Sequence, residues 1–285
     1  MSRSGILVID KPEGLTSQGV VSRVRRALGM KRVGHGGTLD PMATGVLPVF
    51  VGRATRASGM LLDADKSYRA GFVTGIRTDT QDTTGEVIER SDKQADPDDV
   101  REILQQFVGK QQQTPPMYSA IKVDGRKLYE LARKGVEVER KLREIEIFSL
   151  KYLGFENNVH TIDVHCSKGT YIRTLIDDIG RALGCGAAMC ALRRTKTGRF
   201  SLDDAVLLDN LNENTPLLPV DSLWSDLPAL TVSAEAETRV RVGASVRVNA
   251  PDGDCRVYAP SGDFLMLGRV DGGTLVTIKN FFEVD

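Results

Sequence analysis

The stretch Gly34-His35-Gly36-Gly37-Thr38-Leu39-Asp40-Pro41-Met42-Ala43-Thr44-Gly45-Val46-Leu47 sets the terms on which the rest of the chain is read. It holds four glycines, one of the three histidines and an Asp-Pro step. Glycines at this density let a backbone take φ > 0 and come close to a ligand. Pro41 disfavours the α region for Asp40, so the carboxylate belongs on an extended, stiffened loop. A carboxylate held in this way can be aimed at a reacting atom. The same residues also suit plain punctuation of a surface turn.

Working outward, residues 5–12 (GILVIDKP) predict a short buried strand stopped by proline. Thr16 or Ser17 then offers a helix N-cap, Val20, Val21, Val24 and Leu28 an inner face, and Gly29 a stop. The opposite face carries Arg23 and Arg26 and leads into Lys31 and Arg32, a surface suited to a nucleic-acid backbone or to solvent. Residues 53–63 read as helical with Leu61 and Leu62 inward. Residues 67–73 alternate as a strand with Tyr68, Ala70 and Phe72 on one face. Residues 96–108 predict a helix with Asp96 as cap, Pro97 at N1 and an apolar stripe.

Residues 144–153 and 159–166 predict a strand hairpin across residues 154–158, with His160 and His165 on strand faces. A helix opening at Thr170 follows, its stripe formed by Ile172, Leu175, Ile176, Ile179 and Leu183. On its other face Arg173, Asp177 and Arg181 stand at i, i+4 and i+8. One reading is a surface Arg173–Asp177 pair worth ~0.3–0.5 kcal/mol.

A length of 285 residues suits one large domain, or a large one with a small companion. Contents of 41% hydrophobic and 27% charged residues are ordinary for a soluble globular protein. The 38 basic and 38 acidic residues cancel, so net charge does not advertise a nucleic-acid partner. Their distribution says more. Residues 21–35 hold five basic side chains and no acidic one, and residues 168–199 hold seven against two. A neutral protein can still turn a basic face to phosphates. The four cysteines form no C-x-x-C pair and have no histidine near enough to complete a zinc site, which reads as free thiols and no metal. The apolar run at residues 6–9 is too short for a secretory segment, and nothing approaches the roughly 20 apolar residues of a membrane span. A soluble, cytoplasmic protein is the expectation.

Residues 34–49, GHGGTLDPMATGVLPV, resemble without a gap the active-site motif of the tRNA pseudouridine-55 synthases, the bacterial TruB-type family that isomerises the T-loop uridine of tRNA. Other segments resemble the same family: Lys11-Pro12-Glu13-Gly14, Lys66-Ser67-Tyr68, residues 75–82 (GIRTDTQD), residues 115–135, Cys166–Arg173 and Leu192–Thr195. The likeness covers about residues 5–198 and continues beyond them only by position. It implies an α+β fold: a mixed, mostly antiparallel sheet flanked by helices, a basic RNA-gripping insertion and a small C-terminal β-rich PUA-like domain. The expected division is a catalytic domain over residues 1–210 with the insertion at 112–143, a linker at 211–228, and the PUA-like module at 229–285. Proline and acidic residues in the linker, and glycine-rich turns at regular spacing after it, suit this division.

The resemblance implies Asp40 as nucleophile, with Arg173 paired to it, and Tyr68 stacked on the target base, where it can also take part in proton removal. It places Tyr171 at the nucleotide and Leu192 in the uracil pocket, and it assigns residues 75–82 to loop support. His35 is expected to brace the stack that an everted base leaves. Lys122, Arg126 and Lys127 of the insertion are expected on the RNA backbone, with Arg23, Arg26, Lys31 and Arg32; Arg193 and Arg194 suit phosphate or core pairing. The implied partner is the tRNA T-arm, met by a monomer without cofactor, membrane or obligatory protein partner.

Two further readings start from the same residues. An RNA-binding or tRNA-folding protein would use the basic segments equally well and would not need the Asp40 carboxylate. A hydrolytic glycosidase needs two cooperating carboxylates, and Asp40 has no acidic neighbour along the sequence until Asp63. The intact basic insertion argues against a guide-RNA-dependent relative that works within a larger particle.

Overall fold

Gly5–Lys11 (β1) buries side chains on both of its faces, with Leu7 and Ile9 in one core and Ile6 and Val8 in another. A strand buried on both sides belongs inside a covered sheet. The structure, a computed structural model, describes residues 3–123 and 125–282; the side chain of Lys122 lies outside the described residues. Ser17–Leu28 (α1) starts at Thr16, which accepts from the Gly19 N–H, and stops at Gly29 with φ 64°. The Asp40 loop joins Val33–His35 (β2) to Thr44–Val51 (β3).

Next come Lys66–Thr74 (β4), the hairpin Ile76–Thr78 (β5) and Val87–Arg90 (β6), Pro97–Ile103 (α2) and Gly109–Gln113 (β7). The insertion holds Lys122–Val123 (β8), Arg126–Lys127 (β9) and Leu128–Ala132 (α3). Arg143–Glu156 (β10), Val159–Cys166 (β11), Ile172–Ala182 (α4), Ala187–Thr197 (β12), Phe200–Ser201 (β13) and Val206–Leu207 (β14) complete the larger part.

Ten of these strands form one sheet in the order β14-β1-β3-β12-β4-β11-β10-β7, with β2 on β3 and β13 on β12. Among the described residues its pairings are antiparallel except β1 with β14 and β3 with β12, the mixed α+β sheet expected from the sequence. Helices α1, α2 and α4 bury their stripes in one core with Leu7, Ile9 and Phe72. The backbone register of the β3–β12 seam is short, Arg193↔Thr44 and Arg194↔Gly45. The candidate site lies at this seam.

Local geometry corrects several expectations. Residues 53–63 form two short 3-10 turns, Gly52–Ala57 and Met60–Asp63, rather than one helix; Leu61 is buried but Leu62 is 51% exposed. The helix expected over 96–108 is α-helical only through α2 and tightens to a 3-10 turn at Leu104–Phe107, and the Asp96 side chain makes no cap bond. In the insertion Arg126 and Lys127 pair with β8, so its helix is confined to α3. Helix α4 starts at Ile172, not Thr170. The β10–β11 turn is only Asn157-Asn158, with φ of 50° and 61°, so β10 runs on past its expected end at residue 153 while β11 keeps its expected bounds.

Residues 211–228 look like a linker by composition, yet they are fastened to the sheet. Ile6 and Leu218 exchange both backbone hydrogen bonds at 2.8 Å. The ring of Trp224 packs against Phe264 and Phe281. Backbone pairing of this kind leaves no trace in composition. The C-terminal module follows as Ala229–Thr231 (β15), Ala234–Arg241 (α5), Val246–Arg247 (β16), Gly253–Tyr258 (β17), Phe264–Asp271 (β18) and Thr274–Asn280 (β19). Its five strands run in the order β15-β17-β18-β19-β16 over a separate core that includes Val257, Leu265 and Leu275. Turn spacing alone did not foresee α5, which Ser233 caps through the Ala236 N–H.

Candidate active site

The Asp40 loop is tied down at nearly every residue. Ser17, in the first turn of α1, donates to Leu39 O (3.1 Å) and accepts from Leu39 N–H (2.8 Å). The Lys11 ammonium is fully buried at the end of β1 and donates to Pro12 O (2.9 Å), Pro41 O (3.1 Å) and Ala43 O (2.5 Å). Gly14 N–H reaches Pro41 O at 2.8 Å, and Ala43 N–H closes a turn onto Asp40 O at 3.1 Å. Arg194 in β12 donates to Val46 O (2.8 Å) and Thr38 O (3.4 Å). Gly45, at φ 99°, crosses so close to Arg194 that a Cβ would stand 2.2 Å from its carbonyl oxygen; only glycine fits. The loop is therefore a fixed mount for its carboxylate.

Arg173 is the partner of that carboxylate. It projects from the first turn of α4, and Gln113 at the end of β7 holds the backbone just before it, donating to Tyr171 O (3.1 Å) and accepting from Tyr171 N–H (2.8 Å). Arg173 is 5% exposed, and its Nε lies 3.0 Å from Asp40 Oδ2 and 3.7 Å from Asp82 Oδ2. Its remaining donors go to Thr80 O (2.9 Å) and Tyr118 O (2.7 Å). Residues 75–82 thus shape the arginine's seat. The surface Arg173–Asp177 pair does not form: Asp177 is buried and pairs with Arg77 (2.8 Å) and Arg181 (2.7 Å). Helical spacing allowed that pair, but Arg77 from β5 reaches Asp177 first, and the Asp40 loop claims Arg173.

A cleft of about 300 Å³ opens above Asp40, walled by Tyr68, Leu192, Tyr171, Leu62 and residues 118–120 at the base of the insertion. Tyr68 stands directly opposite Arg194 in the β4–β12 pairing. Burial pushes the Tyr68 phenol up to about 12, with the Arg194 guanidinium working the other way. Burial likewise pushes Lys11 down to about 8, opposed by the Asp40 carboxylate. Lys66 is also buried in the wall, where its ammonium donates to Leu62 O (2.7 Å) and Ala64 O (2.5 Å) and holds the Leu62 lip. Asp82 is in space the acidic neighbour that Asp40 lacks in sequence, but it faces away from the cleft. Its Oδ1 accepts from Thr80 Oγ1 (2.8 Å), Thr84 Oγ1 (2.5 Å) and Thr84 N–H (3.0 Å).

The remaining candidates lie around this centre. His35 is half-buried in β2, opposite Val49, and burial lowers its pKa. Arg23, Arg26, Lys31 and Arg32 are exposed along α1 and the turn after it; Arg23 lies 3.6 Å from Asp209 and Arg32 donates to Thr55 Oγ1 at 2.7 Å. Arg126 is exposed, and the Lys127 ammonium sits 5.4 Å from the centre of the Tyr129 ring. Arg193 is held by Asp10 at 2.7 Å, which favours its reading as a pairing residue. No group of three potential metal ligands occurs among the described residues. No helix among them is long and apolar enough to cross a membrane. Sequence reasoning passed over Lys11, Lys66, Asp82, Gln113 and Ser119. All five stood within segments already singled out, but nothing in their spacing marks a buried ammonium at Lys11 or Lys66 or a role at the site for the other three.

Residues 25–172 match the model of the TruB family pseudouridylate synthase N-terminal domain, and residues 173–222 match that of the tRNA pseudouridylate synthase B C-terminal domain. The tRNA pseudouridine synthase B of Nitrosococcus oceani is 45% identical over 278 residues, covering 93% of this chain and 90% of the relative. That of Alkaliphilus oremlandii is 50% identical over 222 residues, covering 76% and 74%. Among solved structures, a chain of a Cbf5-Nop10-Gar1 complex superimposes with a TM-score of 0.74 at 27% identity, over 99% of this chain and 86% of that one. A chain of an H/ACA RNP bound to a substrate RNA containing 2′-deoxyuridine gives 0.72 at 25% identity, over 99% and 86%. A mounted Asp-Arg pair in a narrow cleft, a family match through most of the catalytic sheet and relatives alike nearly end to end lead to one conclusion: this chain belongs to the TruB family of pseudouridylate synthases.

Proposed function

We propose that this chain isomerises the T-loop uridine at position 55 of tRNA to pseudouridine, with Asp40 as the nucleophile on an everted base. The bond from N1 of uracil to ribose C1′ breaks, the base is kept and turned, and C5 bonds to C1′. The C5 proton leaves and N1 gains one, so atoms balance without a cofactor. The observation that carries this reading is the Asp40 carboxylate, 3.0 Å from Arg173 Nε at the floor of the open cleft. An ion-pair contact of that length fixes the aim of the nucleophile. The name shared by the relatives from Nitrosococcus oceani and Alkaliphilus oremlandii supports the substrate class.

Tyr68 and Leu192 clasp the uracil between ring and aliphatic face, and Tyr171 closes the nucleotide side. A phenol held near 12 keeps its proton at neutral pH, so Tyr68 stacks and donates rather than acting as a ground-state base. Extruding a base costs a few kcal/mol. His35, kept neutral by burial, braces the vacated stack without a charge penalty. Residues 1–210 do the chemistry. The insertion at 112–143 and the α1 arginines hold phosphates, and residues 229–285 add RNA contact. The enzyme works as a cytoplasmic monomer on the tRNA T-arm, without an obligatory protein partner.

The test is incubation with an unmodified tRNA transcript, followed by mapping of the modified uridine. Pseudouridine at position 55 is expected, and Asp40→Asn should abolish it while RNA binding persists. Release of free uracil would show a glycosidase instead. An Asp40→Asn protein with undiminished cellular function would point to RNA folding as the main output.

A further inference from the structure

Buried polar atoms in folded proteins almost always have partners. In the cleft wall, the Ser119 hydroxyl has none among the described residues, although the residue is only 5% exposed. Its backbone is fixed on all sides. The Ser119 N–H donates to Met117 O (2.9 Å), its carbonyl accepts from Tyr129 N–H (3.1 Å), and the preceding Tyr118 carbonyl accepts from Arg173 at 2.7 Å. The side chain is thus carried into the site by the base of the insertion, on the arginine that aims Asp40. It lies beside the Tyr171 phenol, whose upward shift from burial it opposes, but no hydrogen bond of ordinary geometry joins the two.

We propose that Ser119 is a substrate-contacting residue, whose hydroxyl makes a hydrogen bond to the polar edge of the everted pyrimidine. The proposal rests on the uridine-isomerase reading of the cleft and adds a second duty for the insertion. Besides gripping the backbone, the insertion completes the base pocket, so the pocket is whole only when residues 118–120 are seated against Arg173. A hydroxyl both donates and accepts, so it can serve a carbonyl or the N3–H of uracil.

An orphaned buried hydroxyl gives the test an unusual sign. Removing a polar group that has no partner in the free protein is neutral or stabilising. Ser119→Ala should therefore leave the melting temperature unchanged or raised, yet lower kcat on an unmodified tRNA transcript about tenfold. Transcript affinity should stay within about twofold, because one base-edge contact is lost among many phosphate contacts. The near-isosteric Ser119→Cys, a weaker donor, should fall between the two. The inference is overturned by an unchanged kcat, by a drop in melting temperature matching the drop in rate, or by a loss confined to RNA affinity. Tyr171→Phe supplies the remaining control: if adding Ser119→Ala to it costs nothing further, Ser119 acts only through Tyr171 and the proposal fails. A wild-type protein that makes no pseudouridine in any tRNA would instead refute the reading beneath it.

Discussion

The cations of the cleft and those of the insertion live under opposite conditions. Lys11, Arg173 and Arg194 are each at most 5% exposed, and they donate to fixed oxygens: three carbonyls for Lys11, two carbonyls and Asp40 for Arg173, two carbonyls for Arg194, whose Nη2 finds no partner among the described residues. Arg126 is open to solvent, and Lys127 and Arg133 rest on the Tyr129 ring at 5.4 and 5.5 Å. A buried cation with fixed partners acts through geometry and through a field that salt screens little. An exposed one acts through counterion release and is sensitive to salt. The same residue types therefore divide into two jobs: holding the carboxylate and holding the RNA.

The sharpest way to break that division is at Arg173. Arg173→Met should lower kcat by ~10²–10³-fold with little change in RNA affinity. Arg173→Lys should recover only part of the rate, because a point charge cannot reach Asp40, Thr80 O and Tyr118 O together. Single-turnover rates and filter binding at two salt concentrations check both. A salt-dependent loss of affinity in Arg173→Met would place this arginine with the RNA-holding cations.

Lys11 sharpens the comparison through pH. Its ammonium needs three N–H donors for three carbonyls, and burial sets its titration at about 8. Above that pH the neutral amine donates to only two, so the Asp40 loop loses an anchor. The rate should fall several-fold on an alkaline limb near 8, which Lys11→Met, slower throughout, should lack. The sign for stability is the reverse. An unfolded lysine holds its proton up to about 10.4, so between these values the unfolded chain binds more protons than the folded one. The stability of the parent relative to Lys11→Met should therefore rise with pH across that window. Denaturant melts at pH 7.5 and 9.5 for both proteins measure it. A fall in this difference would mean the lysine is not titrating where its burial puts it.

The two regions were also unequally legible in the sequence. That Asp40 stands on a stiffened loop was readable because Pro41 restricts the residue before it, and its role was readable only because the stretch resembles a family motif; both are local features that survive in a linear string. Arg173 was ambiguous, since i, i+4 spacing favoured Asp177 until the sheet brought Arg77 to that carboxylate. Lys11 stood out only as part of the Lys-Pro-x-Gly segment, and Arg194 was left between phosphate and core pairing. What buries them is the β1–β3 pairing and the narrow β3–β12 seam, contacts between residues ~30 to ~150 apart in the chain. Composition made residues 211–228 a linker, because the exchange between Ile6 and Leu218 uses backbone atoms that every residue has. The insertion was plain as a basic segment, and its exposed charges need no fold to be recognised.

The smallest effects belong to those exposed charges. Arg126→Ala, alone or with Lys127→Ala, should leave kcat at saturating tRNA within about twofold, because neither side chain reaches the cleft wall. Affinity should weaken modestly for each, and the slope of log K against log salt should become shallower by ~1 for every phosphate contact removed. This pattern is what separates phosphate contact from structure. A side chain that merely shaped α3 would change affinity by the same factor at every salt concentration. If the slope is unaltered while kcat falls, the insertion's cations act on the cleft through residues 118–120, and the two kinds of cation belong to one coupled machine.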